Sequence, residues 1–439
     1  MGIFAGGSFR VINCKIGDHL AGQLYPRIAE RIRDDLEANA LFLTDEKEKV
    51  LFISCDLVAL KREYVKEVIK RIGEKTDIPE ENIIICCTHT HAGPMVAIER
   101  LDMPLNVEYL EFLKNALVEV SVEAINNSEK VKIGYGKGKA HIGYNRRLCW
   151  EDGTHTMYGD SKREEFTGLE GPEDDEHIVL FGEKDKNEIV FVSHNNTCHA
   201  TCVENALFVS ADFPGEARRL IREILGKKIP VLYFQGASGD TSPWDMLHPD
   251  RMNREDKERR LKEVGTLLAG ETMRVIGNSE RKENLTIDTV FEELEVSVRI
   301  PSEEELDEAR KIVEDGVEKS GRWDFVLKES VLKLYEEFKD NPFEKLPLHV
   351  VRIGELAIAT NPCEFYCQFG LDIKRRSPFP ITIISQLTNG WSGYCPTIYG
   401  YLGGGYSGET IYWTRLEPFA GYKIVDKTCN LLYKLWKRK

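Results

Sequence analysis

Two histidines separated by one residue, His89 and His91, follow directly after a hydrophobic run. The run, Ile-Ile-Ile-Cys-Cys at residues 83–87, is short and rich in β-branched side chains, which favours a buried strand over a helix. Gly93 and Pro94 then stop the strand. Residues two apart on a strand face the same side, so both imidazoles could reach one site. The alternative is a pair of histidines that merely caps a strand in a polar turn.

The same arrangement recurs along the chain, where a hydrophobic segment ends and a residue capable of chemistry follows. It recurs at His199, Asp240, Glu364 and Tyr394. Histidine and carboxylate ligands from separate strand ends are what a catalytic zinc site requires, and two histidines with one glutamate leave a position open for water. Zinc would lower the pKa of that water toward neutrality. Spacing alone does not establish the site, and Asp240 is better explained as a turn or capping residue.

These residues require several strands that end at one edge of a sheet. A strand at 50–54, an amphipathic helix at 61–73 and the strand at 83–87 form a unit that predicts parallel pairing with a right-handed crossover. Further core strands are predicted at 189–193, 230–235 and 381–385. We therefore predict an α/β fold with mixed, largely parallel sheets flanked by helices and an active site at the carboxyl ends of the strands.

Four local expectations can be compared directly with a structure. We expect a helix at the centre of residues 23–40 and a long functional loop, without regular elements, over 150–176. Glu364 is expected to open a helix that runs to Lys374, and Asp212 to cap the start of another helix.

The composition limits the class of protein. The chain has 439 residues and a formal charge of -14, and its lack of a basic stripe argues against nucleic-acid binding. We expect neither a transmembrane segment nor a leader, because no apolar stretch is long enough for the first and the first 18 residues contain no apolar run typical of the second. The 11 cysteines are odd in number, which favours reduced thiols in the cytoplasm. Several cysteines lie near candidate ligands, either as buried inert thiols or as part of a thiolate-rich structural zinc site. Without repeats or linkers, residues 1–439 are most simply one domain.

Several motifs occur in the order that is typical of one family. The segment Thr-His-Thr-His-Ala-Gly-Pro at 88–94 resembles the Thr-His-Thr-His-Ser-Gly-Pro signature of the neutral (non-lysosomal) ceramidases, zinc amidases that split N-acyl sphingosine. Further blocks similar to that family are Asn145-Arg146, Cys198-His199-Ala200-Thr201, Ser210-Ala211-Asp212, Gly239-Asp240-Thr241-Ser242-Pro243, Asn361-Pro362-Cys363-Glu364 and Gly393-Tyr394-Cys395-Pro396-Thr397. The resemblance runs from about residue 30 to the end of the sequence.

The resemblance implies a role for each matching residue. The implied zinc ligands are His89, His199, Glu364 and Tyr394. The resemblance also implies that His91 and Arg146 hold the substrate carbonyl or the product carboxylate. This agrees with the chemistry, because the oxyanion that forms during amide cleavage is stabilised by hydrogen-bond donors directed at it. Arg147 could take the place of Arg146. Tyr394 is also open to interpretation as a packing aromatic, because tyrosine is an uncommon zinc ligand.

Together these observations predict a zinc-dependent hydrolase that cleaves a linear amide of a small-molecule or lipid N-acyl substrate, with Tyr394 assisting His91 and Arg146 in catalysis. The chain departs from the family in carrying Ala200 and Cys363 where the family has glycine, and in lacking the residues for a C-terminal immunoglobulin-like domain. A smaller soluble N-acyl compound therefore competes with ceramide as the substrate. An esterase or lactonase that acts at the same site is a second interpretation, and a non-catalytic zinc-binding relative is a third. The sequence does not specify an oligomeric state.

Overall fold

Strands and helices alternate along the protein, whose computed structural model describes residues 2–100, 102–252 and 255–438. The strands are β1 (Ile3–Val11), β2 (Arg31–Ile32), β3 (Glu37–Thr44), β4 (Lys49–Cys55), β5 (Ile83–Cys87), β6 (Glu129–Lys139), β7 (Tyr144–Asn145), β8 (Arg147–Trp150), β9 (His155–Met157), β10 (Phe166–Leu169), β11 (Glu176–Lys184), β12 (Glu188–Asn196), β13 (Phe208–Val209), β14 (Val231–Gln235), β15 (Thr241–Ser242), β16 (Arg281–Lys282), β17 (Ile287–Ser297), β18 (Phe343–Ile353), β19 (Leu356–Thr360), β20 (Glu364–Phe365), β21 (Ile381–Ser385) and β22 (Tyr394–Cys395).

The helices form where apolar residues recur at helical spacing. In the first helix, for example, Val65, Val68, Ile69 and Ile72 are buried on one face. The helices are α1 (Arg62–Gly73), α2 (Val107–Asn126), α3 (Asp212–Leu225), α4 (Lys257–Asn278), α5 (Glu303–Ser320), α6 (Arg322–Phe338), α7 (Cys367–Arg376), α8 (Ile398–Gly403) and α9 (Ala420–Trp436). Within the described ranges, no helix is both long and apolar enough to cross a membrane.

Two sheets pack face to face between layers of helices. The larger sheet has nine strands in the order β14-β12-β11-β6-β1-β3-β4-β5, with β16 beside β6, and the smaller has the order β17-β18-β19-β21. A shared hydrophobic cluster joins them, for example through Phe52 and Ile84 on one sheet and Val351 and Ile358 on the other. Helices α1 to α4 cover the outer face of the large sheet, and α7 and α9 cover that of the small sheet.

The mixed α/β fold is confirmed, but the sheets are not largely parallel. In these two sheets the parallel pairs are β4–β5, β12–β14 and β19–β21, and the other pairs are antiparallel. Each parallel pair is connected through one helix, namely α1, α3 or α7. The antiparallel pairs include β3–β4, β11–β12 and β18–β19, whose connections are too short for a crossover. The strands that precede the sequence motifs are those of the parallel pairs. The prediction therefore overestimated the fraction of parallel pairing in the sheets.

The carboxyl ends of the parallel strands meet although they belong to different parts of the sheets. Ser54 on β4 donates its hydroxyl to the carbonyl of Tyr233 on β14 at 2.8 Å. The amide of Gln386, just after β21, donates to the carbonyl of Gln235 at the end of β14 at 2.9 Å. The loops that follow β5, β12, β14, β19 and β21 therefore share one region of the molecule.

Three local expectations were wrong. Residues 23–40 contain β2 and the start of β3 but no helix. The segment 150–176 is not an irregular loop, because β8, β9 and β10 form a small sheet there. Glu364 lies in the two-residue strand β20, and the helix begins only at Cys367. In each case tertiary pairing outweighed the local preference of the sequence.

Candidate metal centre

The turn after β5 places His89 and His91 in the core by an unusual backbone conformation. Strand β5 ends at Cys87, so the alternation of side chains along a strand does not explain why both rings face one site. His89 instead has a φ of 67°, in the left-handed region that non-glycine residues rarely adopt. Its amide donates to the carbonyl of Leu57 at 2.9 Å, which holds this conformation in place. Such strained residues concentrate at functional sites.

Three imidazole rings converge at this point. The Nε2 atom of His89 lies 2.8 Å from Nε2 of His199 and 3.3 Å from Nε2 of His91. All three side chains are buried, and their nitrogen atoms form a group that can hold a metal ion. His199 arrives from the loop after β12, 110 residues away in sequence from His89.

The hydrogen bonds of the other ring nitrogens determine the chemistry of this group. The Nδ1 atom of His89 is 2.6 Å from the carbonyl of Val58, and that of His199 is 2.8 Å from the carbonyl of Ser238. A carbonyl only accepts, so both Nδ1 atoms carry a proton. Burial, with Arg146 and His89 nearby, lowers the pKa of His199 well below its usual value, so His199 is neutral. Its Nε2 lone pair therefore faces the Nε2 atom of His89, an arrangement that a shared cation stabilises.

Glu364 adds a carboxylate to the two histidines. Its Oε2 atom lies 3.3 Å from Nε2 of His89 and 3.6 Å from Nε2 of His199. Its Oε1 atom accepts a hydrogen bond of 3.0 Å from the indole of Trp391, which fixes the direction of the carboxylate. Burial raises the pKa of Glu364, but His89, Trp391 and Tyr394 outweigh that effect and lower it. The carboxylate is therefore ionised, which is the form in which a carboxylate binds a metal.

Tyr394 reaches the site through pairing of two short strands. In the parallel pair β20–β22, Tyr394 lies opposite Glu364. The Tyr394 hydroxyl accepts a hydrogen bond of 3.2 Å from Nη2 of Arg146. Burial raises the pKa of Tyr394 well above its usual value, so the hydroxyl keeps its proton. Tyr394 is thus a polar member of the cluster as well as a buried aromatic.

Arg146 lies in the site and Arg147 does not. The guanidinium of Arg146 is buried and donates to the carbonyl of Gly239 at 3.0 Å and the hydroxyl of Tyr158 at 2.9 Å. Burial lowers its pKa, but Tyr158, Tyr394 and Glu364 raise it above the usual value, so the charge is permanent. Arg147 points elsewhere and forms an ion pair of 2.7 Å with Glu170.

The acidic residues beside the site form hydrogen bonds that stabilise the surrounding loops and helix start. Asp240 accepts the amide of Cys367 at 2.7 Å and the side-chain amide of Asn145 at 2.9 Å. Asp56 accepts the amide of Glu37, and Asp212 accepts the amides of Val203 and Phe213. Asp212 is the first residue of α3 rather than its N-cap, which is Ala211. These hydrogen bonds indicate structural roles for all three residues.

The cysteines are buried free thiols. Burial raises the pKa of Cys198 and Cys363, the two that adjoin His199 and Glu364 in sequence. The metal-binding group found among the described residues contains histidines but no cysteine. This agrees with inert thiols rather than a thiolate-rich zinc site.

Sequence reasoning missed two residues that shape the site. Trp391 directs the Glu364 carboxylate, and it lies inside the segment 389–397, where the sequence pointed to Tyr394 alone. Gly22 lies against the ring of His91, where a Cβ atom would meet Cγ of that ring at 2.5 Å. No local pattern identifies either residue, because each acts on a partner far away in sequence.

A small cavity opens beside the imidazoles. Its volume is about 70 Å³, and His89, His91, Glu364 and Tyr394 line one part of it. The remaining walls are mainly apolar, and they include Val58, Met95, Ile98, Trp391, Tyr406 and Trp413. Besides Glu364, the charged residue Arg100 also lines the cavity. A ligand in the cavity would contact the candidate metal centre directly.

Comparison with solved structures identifies the fold. The structure of a neutral ceramidase from Pseudomonas aeruginosa matches with a TM-score of 0.77 and 17% sequence identity, over 100% of this chain and 75% of that chain. A ceramidase complexed with C2 matches with a TM-score of 0.77 and 15% identity, over 100% of this chain and 76% of that one. The resemblance to the neutral ceramidases is therefore confirmed in the fold. No protein-family model and no curated protein matches the sequence.

Proposed function

We propose that this protein is a zinc-dependent hydrolase of linear amides, of the ceramidase type. The proposal rests on one observation. Nε2 of His89, Nε2 of His199 and Oε2 of Glu364 lie within 3.6 Å of one another. Two histidines and one glutamate form a common donor set for catalytic zinc. The backbone carbonyls that hold both Nδ1 protons are the outer partners that such ligands usually have.

The residues present fit a zinc ion, and we assign His89, His199, Glu364 and Tyr394 to hold it. When bound, zinc supplies Lewis-acid polarisation of a carbonyl and makes water more acidic. The buried Trp391 and the apolar cavity walls exclude bulk water, which strengthens every charge interaction in the site.

Two further residues are assigned to the reacting amide. Arg146 is a permanent buried cation, suited to stabilise negative charge on the carbonyl oxygen as it develops. His91 is neutral, because burial together with His89 and Arg146 lowers its pKa well below the usual value. A neutral imidazole can donate one hydrogen bond or accept one, so His91 can orient the substrate or carry a proton. The Tyr394 hydroxyl accepts a hydrogen bond from Arg146, and its retained proton is available for a hydrogen bond to the substrate.

The substrate class follows from the chemistry of an open zinc site and from the fold. The two solved structures compared above are named as ceramidases, which cleave an N-acyl amide, and we extend amide cleavage to this chain. An ester or lactone would react in the same site, so the assay must separate the two bond types. We further propose a single catalytic domain that works in the cytoplasm on a small-molecule or lipid N-acyl substrate.

Metal analysis combined with a substrate panel tests the proposal. Purified protein should contain about one zinc per chain, and it should release acid from N-acyl amides faster than from matched esters unless a chelator is present. The His89→Ala variant should lose both zinc and turnover, whereas Arg146→Ala should keep zinc and lose turnover. Full activity in His89→Ala would end the proposal. Stoichiometric zinc with no turnover on any amide or ester would instead favour a non-catalytic zinc-binding protein.

A further inference from the structure

Arg100 places a positive charge in the wall of the cavity that adjoins the candidate metal centre. It follows His91 by nine residues in sequence, in the loop before α2, and it lines the same cavity as His89, His91 and Glu364. The side chain is only partly buried. The candidate metal centre and this guanidinium therefore border the same space.

Arg100 forms no direct ion pair within the described part of the chain, where no carboxylate oxygen lies within 4.0 Å of its guanidinium, and Asp102 and Glu329 act on it only from a greater distance. Its Nη2 atom donates to the carbonyl of Gln23 at 2.8 Å and contacts the Met103 sulfur at 2.6 Å. The nearby Asp102 is paired with Arg322 instead. Burial, opposed in part by Asp102, lowers the pKa of Arg100, because the cation has lost water without gaining a direct counter-ion.

Two buried hydrogen-bond donors near the cavity have no acceptor in the part of the chain that the structure describes. The Nε atom of Arg100 and the indole nitrogen of Trp413 are both buried, and neither has a partner among the described residues. Trp413 lines the same cavity, and its side chain is 4% exposed. A guanidinium presents a planar fork of N–H groups that matches the two oxygens of a carboxylate. The chemistry of this wall therefore favours an anionic, oxygen-bearing group.

We propose that the substrates are linear amides that carry a carboxylate, and that Arg100 binds this carboxylate. This proposal rests on the proposed amide hydrolysis and adds the class of substrate. A long-chain ceramide has no carboxylate for Arg100 to bind.

The carboxylate can belong to either side of the amide bond. In an N-acyl amino acid it lies on the amine side, and in a succinyl amide it lies on the acyl side. Both place a carboxylate a few bonds from the scissile carbonyl, which is the chemistry that Arg100 recognises. N-Butanoylglycine and N-propylsuccinamic acid represent the two cases, and N-butanoylglycinamide is the neutral counterpart of the first.

Steady-state hydrolysis of these three compounds by the zinc-loaded protein tests the proposal. At least one carboxylate compound should have a kcat/KM at least tenfold above that of the neutral amide. The Arg100→Gln variant should lose roughly 10- to 100-fold in kcat/KM on that compound, the range expected for losing a hydrogen-bonded charge pair. Its loss in kcat/KM on the neutral amide should be clearly smaller than on that compound, and Arg100→Lys should restore part of the loss on the carboxylate compound.

Arg352→Gln is the matched control, because Arg352 is a partly buried arginine whose hydrogen bonds also go to backbone carbonyls, of Gly354, Leu435 and Arg438. It lies on β18, outside the cavity, so its loss should not change the preference for a carboxylate. Equal rates on charged and neutral amides in the wild type would overturn the role of Arg100 and leave amide hydrolysis intact. If Arg100→Gln does not fold, this wild-type comparison and Arg100→Lys still decide. Failure to cleave any amide would overturn the proposed function itself.

Discussion

Replacing Gly22 by alanine should displace His91 without touching the proposed metal ligands. A Cβ atom at residue 22 would lie 2.5 Å from Cγ and 2.6 Å from Nδ1 of the His91 ring. An ordinary contact begins at 3.4 Å, so the ring must retreat by about 0.9 Å. A misplacement of about 1 Å in an active site can reduce the rate roughly 100-fold, and we expect a loss of that order in kcat/KM.

Gly17→Ala provides an internal control for this substitution. Gly17 and Gly22 have the same φ of +96°, but a Cβ atom at residue 17 would meet no other atom within 4 Å. Both variants should lose about 1–2 kcal/mol of stability, because alanine is strained at positive φ. Only Gly22→Ala should also lose activity. The shared backbone penalty therefore cancels when the two variants are compared.

The assay combines amide hydrolysis, zinc content and urea denaturation of both variants. We expect Gly22→Ala to keep its zinc, because His91 is assigned to the substrate rather than to the metal. Equal activity of the two variants would refute the argument that His91 must hold its position. Loss of zinc in Gly22→Ala alone would refute the assignment of His91 and make it a metal ligand.

Three further predictions concern neighbouring residues. Trp391→Phe keeps an aromatic ring but removes the hydrogen bond of 3.0 Å to Glu364, and chelator competition should reveal roughly 10- to 100-fold weaker zinc binding; unchanged affinity would contradict an orienting role. Burial raises the pKa of Asp240 to about 7, so its folded state holds a proton that the unfolded state releases. Stability relative to Asp240→Asn should therefore fall by roughly 2 kcal/mol between pH 5 and pH 7 in urea titrations, and a rise would show the wrong sign. Arg146→Ala should lower kcat at least 100-fold on the same amides, since it removes the cation that we propose stabilises the carbonyl oxygen; an unchanged kcat with a raised KM would limit Arg146 to binding.

The strand-end pattern predicted much of the candidate site because it has a local cause. The strand at 83–87 and the helix α1 agree with the structure within one residue, since their apolar periodicity is strong. Parallel strands joined through helices end on the same edge of a sheet, so reactive residues after β5, β12 and β19 were candidates for one site. The same reasoning failed for residues 23–40, where helical spacing was weaker than the pairing offered by neighbouring strands.

The detailed chemistry of the site depends on contacts that have no local signal. The backbone of His89 at a φ of 67° orients its ring, and no strand periodicity predicts that conformation. The choice between Arg146 and Arg147 depends on Glu170, which captures Arg147 in an ion pair. Trp391 meets Glu364 only because two short strands, β20 and β22, align side by side.

The sequence by itself determined the mixed α/β class and the residue types that were available for a metal site. It also determined the core strands after which His89 and His199 follow. Only the tertiary structure decided that the loops of two sheets meet, so that Nε2 of His89 and Nε2 of His199, 110 residues apart, approach to 2.8 Å. The physical reason is that periodicity and turn chemistry act over a few residues, whereas the meeting of these loops depends on how two whole sheets pack through a shared core.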